Sequence, residues 1–434
     1  MKIGVIGLGF VGLTFASVLA SKGYSVIGVD YDKSKISKIE SGKAPFFEPR
    51  LDETLEIALQ KDLKISPSIS SVVDTCDIIF VTVGTPTLDK GGIDLSMIES
   101  AIKEIGAFLK KIKNDPVIII KSTVVPGTTQ KLIDLLEQES GKKNGESFGI
   151  ITNPEFLREG MAVEDTISPH LIVLGGIDDK YLKRLIEFYS NFQPKVQMIK
   201  TNPQTAEIIK YANNSFLATK ISFINQIASI CEAVPGANIE EVAKAIGVDP
   251  RIGTMFLNAG PGYGGSCLPK DVKAIINFSS KIGVNSTLLD AVEEVNRNQV
   301  RNITSTIKKT LGNLGERKIS ILGLAFKPDT DDIRESVSLK LIELLLKEGA
   351  KIIVHDPKAI ENTKSVFGNK IEYTENVSEA LRDSECSVIM TGWKQYTNIG
   401  ENELGLMKKR FVVDTRRLLF GKKLNIEYHA IGIG

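Results

Sequence analysis

Apolar positions over the first third of the chain fall into short blocks separated by amphipathic stretches. Lys2–Ile6 is one such block and runs into a glycine-rich turn; residues 11–21 have helical spacing, and residues 25–30 form a second block. Further blocks at 78–83, 117–121 and 149–151 have the length and β-branched content of buried parallel strands. Residues 96–112 and 128–139, between them, read as helices. This alternation predicts a doubly wound α/β domain over residues 1–202.

The rhythm changes at Pro203. A helical run extends from there through Ala233 and is closed by Pro235-Gly236, and a second long run covers 286–311. Strand signals are scarce between 203 and 311, which predicts a central helical domain whose long helices suit an oligomer interface. From Lys318 the α/β rhythm returns and echoes the start of the chain. Lys2-Ile-Gly-Val-Ile-Gly-Leu-Gly-Phe pairs with Lys318-Ile-Ser-Ile-Leu-Gly-Leu-Ala-Phe, and Val26-Ile-Gly-Val-Asp30 with Ile352-Ile-Val-His-Asp356. Thr75-Cys-Asp-Ile-Ile-Phe-Val-Thr likewise pairs with Glu385-Cys-Ser-Val-Ile-Met-Thr. The expected fold is α/β: two Rossmann-like doubly wound parallel-sheet domains (1–202 and 312–434) joined by a central helical region (203–311). The second copy lacks the later glycines of the turn, so it is not expected to hold a dinucleotide in the same way.

Composition narrows the possible functions. The 434 residues are 42% hydrophobic and 25% charged, which excludes disordered, collagen-like and coiled-coil chains. Lys and Arg number 54 against 53 Asp and Glu, a net charge of +1, so no bulk field favours nucleic acid or an anionic membrane. An anionic substrate must be held by local groups. No apolar run reaches the ~18 residues of a membrane span, and the N-terminus reads as a strand rather than a signal peptide. Cys76, Cys231, Cys267 and Cys386 lie far apart, and the histidines are His170, His355 and His429. Neither a disulfide framework nor a metal site is expected, and a reducing cytoplasm is the expected setting.

Gly7-Leu-Gly9-Phe-Val-Gly12 is a G-x-G-x-x-G between a strand and a helix. Gly7 permits the tight turn, Gly9 admits a pyrophosphate, Gly12 lets helix and strand pack, and the helix N-terminus faces the phosphates. Asp30 ends the next strand, where its carboxylate would accept ribose hydroxyls and repel a 2′-phosphate. That favours NAD over NADP, with Lys35 nearby weakening the preference. Val83-Gly-Thr85-Pro86 and Ser122-Thr123 follow strands whose carboxyl ends should face the same ligand.

Pro261-Gly-Tyr-Gly264-Gly-Ser-Cys267-Leu-Pro-Lys270-Asp271 is the most unusual stretch. It places Cys267 on an irregular loop beside a lysine, where a thiol is either an activated nucleophile or a structural group. In Asn153-Pro-Glu155-Phe-Leu-Arg-Glu159, a helical turn starting at Pro154 would put both glutamates on one face. A salt-bridged surface turn is the alternative. Lys210 and Asn214, four residues apart on the long helix, would either bind a sugar or oxyanion or form a solvated stripe.

Together with Lys121-Ser-Thr-Val124 and Phe326-Lys-Pro-Asp-Thr-Asp-Asp-Ile-Arg-Glu-Ser336, these motifs resemble the UDP-glucose/GDP-mannose dehydrogenase family over residues 2 to about 418. The resemblance implies oxidation of a sugar C6 alcohol to a carboxylate with two NAD⁺ and one water. In that scheme Cys267 forms a thiohemiacetal and then a thioester. Lys210 stabilises negative charge on the C6 oxygen and Asn214 is its hydrogen-bonding neighbour. Thr123 and Asp271 position water, and Glu155 serves catalysis and hydrolysis. For NAD the matching positions are Val11, Asp30, Lys35, Thr85, Thr123, Glu159, Lys270 and Arg334.

For the nucleotide sugar they are Glu155, Phe156, Leu157, Arg158, Glu159, Lys210 and Asn214; then Phe256, Leu257, Asn258, Ala259 and Gly260; and Gly264, Lys327 and Arg416. Arg251 resembles an arginine presented to the neighbouring subunit's sugar, which implies a homodimer through the central helices. Arg251-Ile-Gly-Thr-Met-Phe favours UDP-glucose, whereas Val124-Val-Pro-Gly-Thr and Cys-Leu-Pro resemble the GDP-mannose branch. UDP-glucose is the expected substrate. A two-electron hydroxyacid dehydrogenase, which would leave 318–434 unexplained, and a non-enzymatic NAD sensor are the competing readings.

Overall fold

The computed structural model describes residues 1–89 and 91–434. They form two compact units, Met1–Asn213 and Asn214–Gly434.

The first unit is built on eight strands: β1 (Lys2–Ile6), β2 (Ser25–Val29), β3 (Leu63–Ser66), β4 (Ile78–Val81), β5 (Val117–Ile120), β6 (Gly149–Thr152), β7 (Ile172–Gly176) and β8 (Met198–Thr201). Their order is β3-β2-β1-β4-β5-β6-β7-β8. The central strands read as unbroken apolar runs because both faces are covered. Ile78 and Phe80 of β4 pack with Leu13, Phe15 and Leu185 on one face, while Ile79 and Val81 pack with Ile98, Ile102 and Leu136 on the other.

The expected parallel Rossmann-like sheet is present over the first six strands, and two further strands extend it. β1 to β6 are parallel, but β7 runs antiparallel to β6, with β8 parallel to β7. The connection from β6 to β7 has only a six-residue helix, Ala162–Ile167, too short to recross the sheet, so β7 begins where β6 ends. The blocks at 78–83 and 117–121 stop as strands at Val81 and Ile120, which leaves Val83 and Lys121 to Thr123 beyond the carboxyl edge.

The helix Phe10–Ser21 can lie on the sheet because Gly12 has no side chain. A Cβ there would meet the Gly7 carbonyl oxygen at 1.9 Å and Thr82 Oγ1 at 2.5 Å, both fixed groups. Gly12→Ala is therefore expected to destabilise the first unit by about 1–3 kcal/mol and to displace the turn. Thermal unfolding and NAD titration of the variant check both effects.

The helix Pro203–Ala233 starts cleanly: Asn202 Oδ1 accepts the Thr205 N–H at 2.8 Å, and Pro203 occupies a position where no N–H is needed. In the second unit, Ile224 and Ala228 of this helix and Val300, Ile303 and Ile307 of the Thr287–Leu311 helix share one core with a second sheet. That sheet contains β9 (Lys318–Leu322), β10 (Lys351–His355), β11 (Glu372–Tyr373), β12 (Cys386–Ile389), β13 (Phe411–Asp414) and β14 (Glu427–Ala430). Its order, β11-β10-β9-β12-β13-β14, all parallel, repeats that of the first six strands. The sequence echoes fall on matching strands, and so do details. The Gly7 N–H donates to the Val29 carbonyl at 2.8 Å, and the Gly323 N–H donates to the His355 carbonyl at 2.8 Å. Among the described residues no helix is long and apolar enough to cross a membrane.

Candidate active site

The glycine turn after β1 has the shape a dinucleotide needs. Gly7 has φ +94°, and a Cβ on it would strike the Val83 backbone at 2.9 Å; above Gly9 nothing lies within 4 Å of where a Cβ would be. No side chain caps the Phe10–Ser21 helix, so its first N–H groups have no side-chain acceptor, and Val11 is half-buried in that first turn. Thr85 Oγ1 donates to the Thr123 carbonyl at 2.9 Å and Ser122 Oγ to the Val83 carbonyl at 2.7 Å, which ties the two loops beyond β4 and β5 together.

Asp30, just past β2, accepts from the Leu8 N–H at 2.9 Å, the Asp32 N–H at 3.0 Å and Lys35 Nζ at 2.7 Å. Burial opposes its charge, but the Lys35 ammonium and the two N–H groups outweigh burial and hold the carboxyl below its usual range. Open space over Gly9, an uncapped helix start and an ionised carboxylate at the end of β2 fit NAD.

The matching acid of the second sheet is arranged differently. Asp356 Oδ2 accepts from the N–H groups of Leu324 and Ala325 and from Trp393 Nε1, and Oδ1 from the N–H groups of Lys358 and Ala359. Five donors fill a carboxylate that is 2% exposed, and none of its capacity remains for a ribose. The loss of glycines expected to alter this turn is thus accompanied by an inward-facing acid.

A buried cluster lies beyond β5 and β6. Lys210 Nζ donates to Glu155 Oε1 at 3.0 Å, with side chains 4% and 8% exposed, and stands 5.3 Å from the centre of the Phe156 ring. Burial would raise the Glu155 carboxyl, but the Lys210 charge and the Leu157 N–H hold it below its usual range. Glu207, three residues before Lys210, accepts from the Gly127 N–H and from the N–H and hydroxyl of Thr129, which pins this part of the helix to the loop after β5. No helical turn starts at Pro154: residues 153–158 are irregular, so Glu155 and Glu159 do not share a helix face. The Leu157 N–H is spent on the Glu155 carboxylate and the Arg158 N–H on Asp165, the bonds a helical turn would otherwise use. Arg158 also forks onto Asp165 through Nε and Nη2 at 2.9 and 2.6 Å, and Glu159 is buried in the following turn.

In the second unit, Cys267 occupies the N-cap of the Leu268–Lys281 helix and is half-buried. Its loop is held from two sides. Asn296 Oδ1 accepts the Tyr263 N–H at 2.8 Å while Asn296 Nδ2 donates to the Tyr263 carbonyl at 3.0 Å, and the Tyr263 hydroxyl donates to Glu293 Oε1 at 2.5 Å. On the other side the Gly265 N–H donates to the Arg334 carbonyl at 2.9 Å. Gly265 has φ +84°, and a Cβ on it would be 2.7 Å from the Phe326 ring; one on Gly264 would be 2.5 Å from the Glu335 carbonyl. One turn into the helix, Asp271 is 1% exposed, accepting from Asn214 Nδ2 at 2.6 Å and Lys270 Nζ at 2.7 Å. The other three cysteines are buried, and burial pushes the Cys76 thiol up to about 11. Asn296→Ala should leave the Thr287–Leu311 helix intact yet slow alkylation of Cys267 or broaden its rate distribution at least several-fold. Peptide-resolved iodoacetamide labelling measures this.

The segment Phe256 to Gly260 precedes that loop. Phe256 has φ +66°, Leu257 and Ala259 are buried, and Asn258 is exposed. Asn225 Oδ1 accepts the Gly260 N–H at 2.8 Å, and Arg417 Nη2 donates to the Ala259 carbonyl at 2.9 Å. Gly260 is close to Arg416: a Cβ there would lie 3.0 Å from its guanidinium, whose Nε donates to the Met390 carbonyl. Lys327 stands 5.6 Å from the Phe326 ring centre. Arg334 and Arg251 are exposed and paired with Asp332 and Asp249, two residues before each. Lys121, Asn296, Glu293, Asn225 and Arg417 were not singled out from sequence as site residues. Lys121 opened a quoted motif, but the others sit in ordinary helical or basic stretches with no local signal.

Residues 1–193 match the NAD binding domain of the UDP-glucose/GDP-mannose dehydrogenase family, residues 204–298 its central domain and residues 320–421 its UDP binding domain. The chain belongs to this family. UDP-glucose 6-dehydrogenase AglM of Haloferax volcanii is 38% identical over 99% of this chain and 100% of its own. The solved structure of a UDP-glucose dehydrogenase from the hyperthermophilic archaeon Pyrobaculum islandicum is 35% identical, with TM-score 0.94 over 100% of this chain and 98% of that one. A UDP-D-ManNAc dehydrogenase from Pyrococcus horikoshii is 26% identical, with TM-score 0.88 over 100% and 99%. As a family member the protein is an NAD-dependent nucleotide-sugar dehydrogenase, and the two Rossmann-like sheets linked through helices are the fold of these relatives.

Proposed function

We propose that this protein oxidises the C6 alcohol of UDP-glucose to the carboxylate of UDP-glucuronate. The observation that carries the reading is the placement of Cys267: a thiol on a doubly clamped loop, at the positive end of a helix, one turn from a buried carboxylate. A helix N-terminus favours the thiolate. NAD⁺, when bound, would supply the hydride acceptor for each of the two oxidations. In the first unit, residues of the glycine turn with Val11, Asp30, Lys35, Thr85, Thr123 and Glu159 would hold it; in the second, Lys270 and Arg334 are the positions the family resemblance assigns to it.

Once C6 is an aldehyde, the Cys267 sulfur adds to it and the carbonyl oxygen takes a proton, giving a thiohemiacetal. Loss of the remaining C6 hydride to the nicotinamide together with the hydroxyl proton to solvent leaves a thioester. Water then adds, the C–S bond breaks, and carboxylate and thiol are released. Lys210, its ammonium fixed by Glu155, stabilises charge developing on the C6 oxygen. Asp271, its carboxylate held in place by Asn214 and Lys270, orients water, and Thr123 is the water-positioning group assigned in the first unit. In the second unit the segment 256–260, Gly264, Lys327 and Arg416 are the positions assigned to the nucleotide; in the first, Phe156 to Glu159 are those assigned to the sugar.

Greater identity to proteins named for UDP-glucose than to the UDP-D-ManNAc enzyme supports glucose as the sugar. A second copy of the chain is the proposed partner. Phe216, Phe223 and Ile230 are 65%, 51% and 52% exposed at seven-residue spacing on one helix, an apolar stripe suited to a facing helix. Arg251, 87% exposed at its side chain, would then reach the neighbour's sugar. Counting NADH per sugar with UDP-glucose, UDP-N-acetylglucosamine and GDP-mannose tests the reading. Two NADH from UDP-glucose alone is expected; one NADH, or preference for another sugar, refutes it. Phe223→Asp should yield monomers by sedimentation.

A further inference from the structure

Lys121 follows β5 directly and is 7% exposed. Its Nζ donates to Asn153 Oδ1 at 3.1 Å and lies 5.1 Å from the centre of the Phe15 ring. Asn153 is fixed on every side: its N–H donates to the Ile120 carbonyl at 2.9 Å, its Nδ2 to the Val173 carbonyl at 2.8 Å, and its Oδ1 also accepts from the Tyr189 hydroxyl. Two residues later comes Glu155. Among the described residues, Glu155 and Lys210 are the charged groups that act on Lys121, and the uncharged Phe15 lies beside it while Tyr189 shares its Asn153 partner.

The cluster thus holds two ammonium groups and one carboxylate away from water. A structural ion pair would need one lysine. A second buried cation costs several kcal/mol, and an apolar side chain of the same length would be less costly. Burial pushes the Lys121 ammonium down to about 8, opposed by Glu155 and assisted by Lys210.

We propose that Lys121 is a positioning residue for the reaction: through Asn153 it fixes the turn that carries Glu155 to Lys210, and it adds a second positive charge to that buried cluster. This rests on the function proposed above. The test compares Lys121→Met, Lys121→Arg and Asn153→Ser in the full chain with UDP-glucose and NAD⁺. A neighbouring cation favours the carboxylate, so removing it raises the pH at which Glu155 ionises. In Lys121→Met, kcat should fall about 10- to 100-fold with KM for UDP-glucose within about threefold. The acid limb of kcat should move to higher pH by about one unit, and the Tm should be unchanged or raised. Lys121→Arg should return the limb towards its original pH.

Asn153→Ser cuts the tether but keeps the charge, so it should lower kcat without moving the limb, even if Lys121→Met fails to fold. An unmoved limb with unchanged kcat overturns the proposal, as does a collapsed Tm with the limb of the residual activity unmoved. Unchanged kcat in Asn153→Ser refutes the tether. Wild-type protein yielding two NADH per UDP-glucose, with Lys121→Met indistinguishable from it, sinks this inference alone. Wild type yielding no NADH from any nucleotide sugar sinks the function and the inference together.

Discussion

Cys267→Ser should lose at least ~10³-fold in steady-state turnover while keeping its Tm within about one or two degrees. The substitution changes one atom at a half-buried N-cap, so little packing is lost. The chemistry changes far more. Sulfur is a far stronger nucleophile than a serine hydroxyl, so addition to the aldehyde carbon slows. Any oxygen ester that does form is a poorer acyl donor to water than a thioester. The variant should therefore release at most a slow first equivalent of NADH, with intact-mass measurement showing either no sugar adduct or one that persists. Wild-type turnover in this variant would show that the thiol is not the anchor. Asn296→Ala leaves the sulfur in place and alters only its support, so comparing the two separates the nucleophile from its scaffold.

Lys210→Ala should cost about 10²–10³-fold in kcat and, unlike the cysteine variant, should also destabilise the first unit. Lys210 is 3% exposed, and its removal strands the Glu155 carboxylate where water does not reach it. Breaking one side of a buried pair typically costs about 3–5 kcal/mol; Lys121 nearby reduces that here. The pH dependence has a definite sign. Because the folded Glu155 carboxyl is held below its unfolded value, its contribution to stability is present above the ordinary carboxylate range of about 4.3 and is lost as pH falls through the lower folded value. In Lys210→Ala this contribution should shrink, so the variant should be less stable than wild type at neutral pH and should lose less stability as pH falls. Urea titrations from neutral pH down to about pH 3 would show the two stabilities converging, and parallel curves would place Glu155 outside Lys210's influence.

Much of this arrangement is visible in the order of residues. β1, β4 and β5 are legible because a strand covered on both faces must be apolar at successive positions, and Ile78–Val81 and Val117–Ile120 are. The glycine turn is legible because each glycine answers a separate steric demand. β3 and β8 gave weak signals because they lie at the sheet's edges and carry Lys64 and Lys200. The direction of β7 depends on the path of the chain after β6, which no local pattern encodes. The two alternatives at Pro154 stay open in the sequence for a related reason: a carboxylate bonding to the backbone two residues ahead competes with helix, and its burial comes from Lys210, 55 positions away. Asn296 escapes notice altogether, since its partner Tyr263 is 33 residues distant.

The saturated Asp356 also bears on redesign. Two aspartates occupy equivalent strand ends, yet one retains electrostatic reach into open space and the other acts as an internal brace for Trp393 and four backbone amides. Grafting the missing glycines into the 323–326 turn would widen it without restoring any acceptor for a ribose. Converting that half into a second coenzyme site would require dismantling the brace first, and the surrounding scaffold would lose rigidity before it gained a ligand.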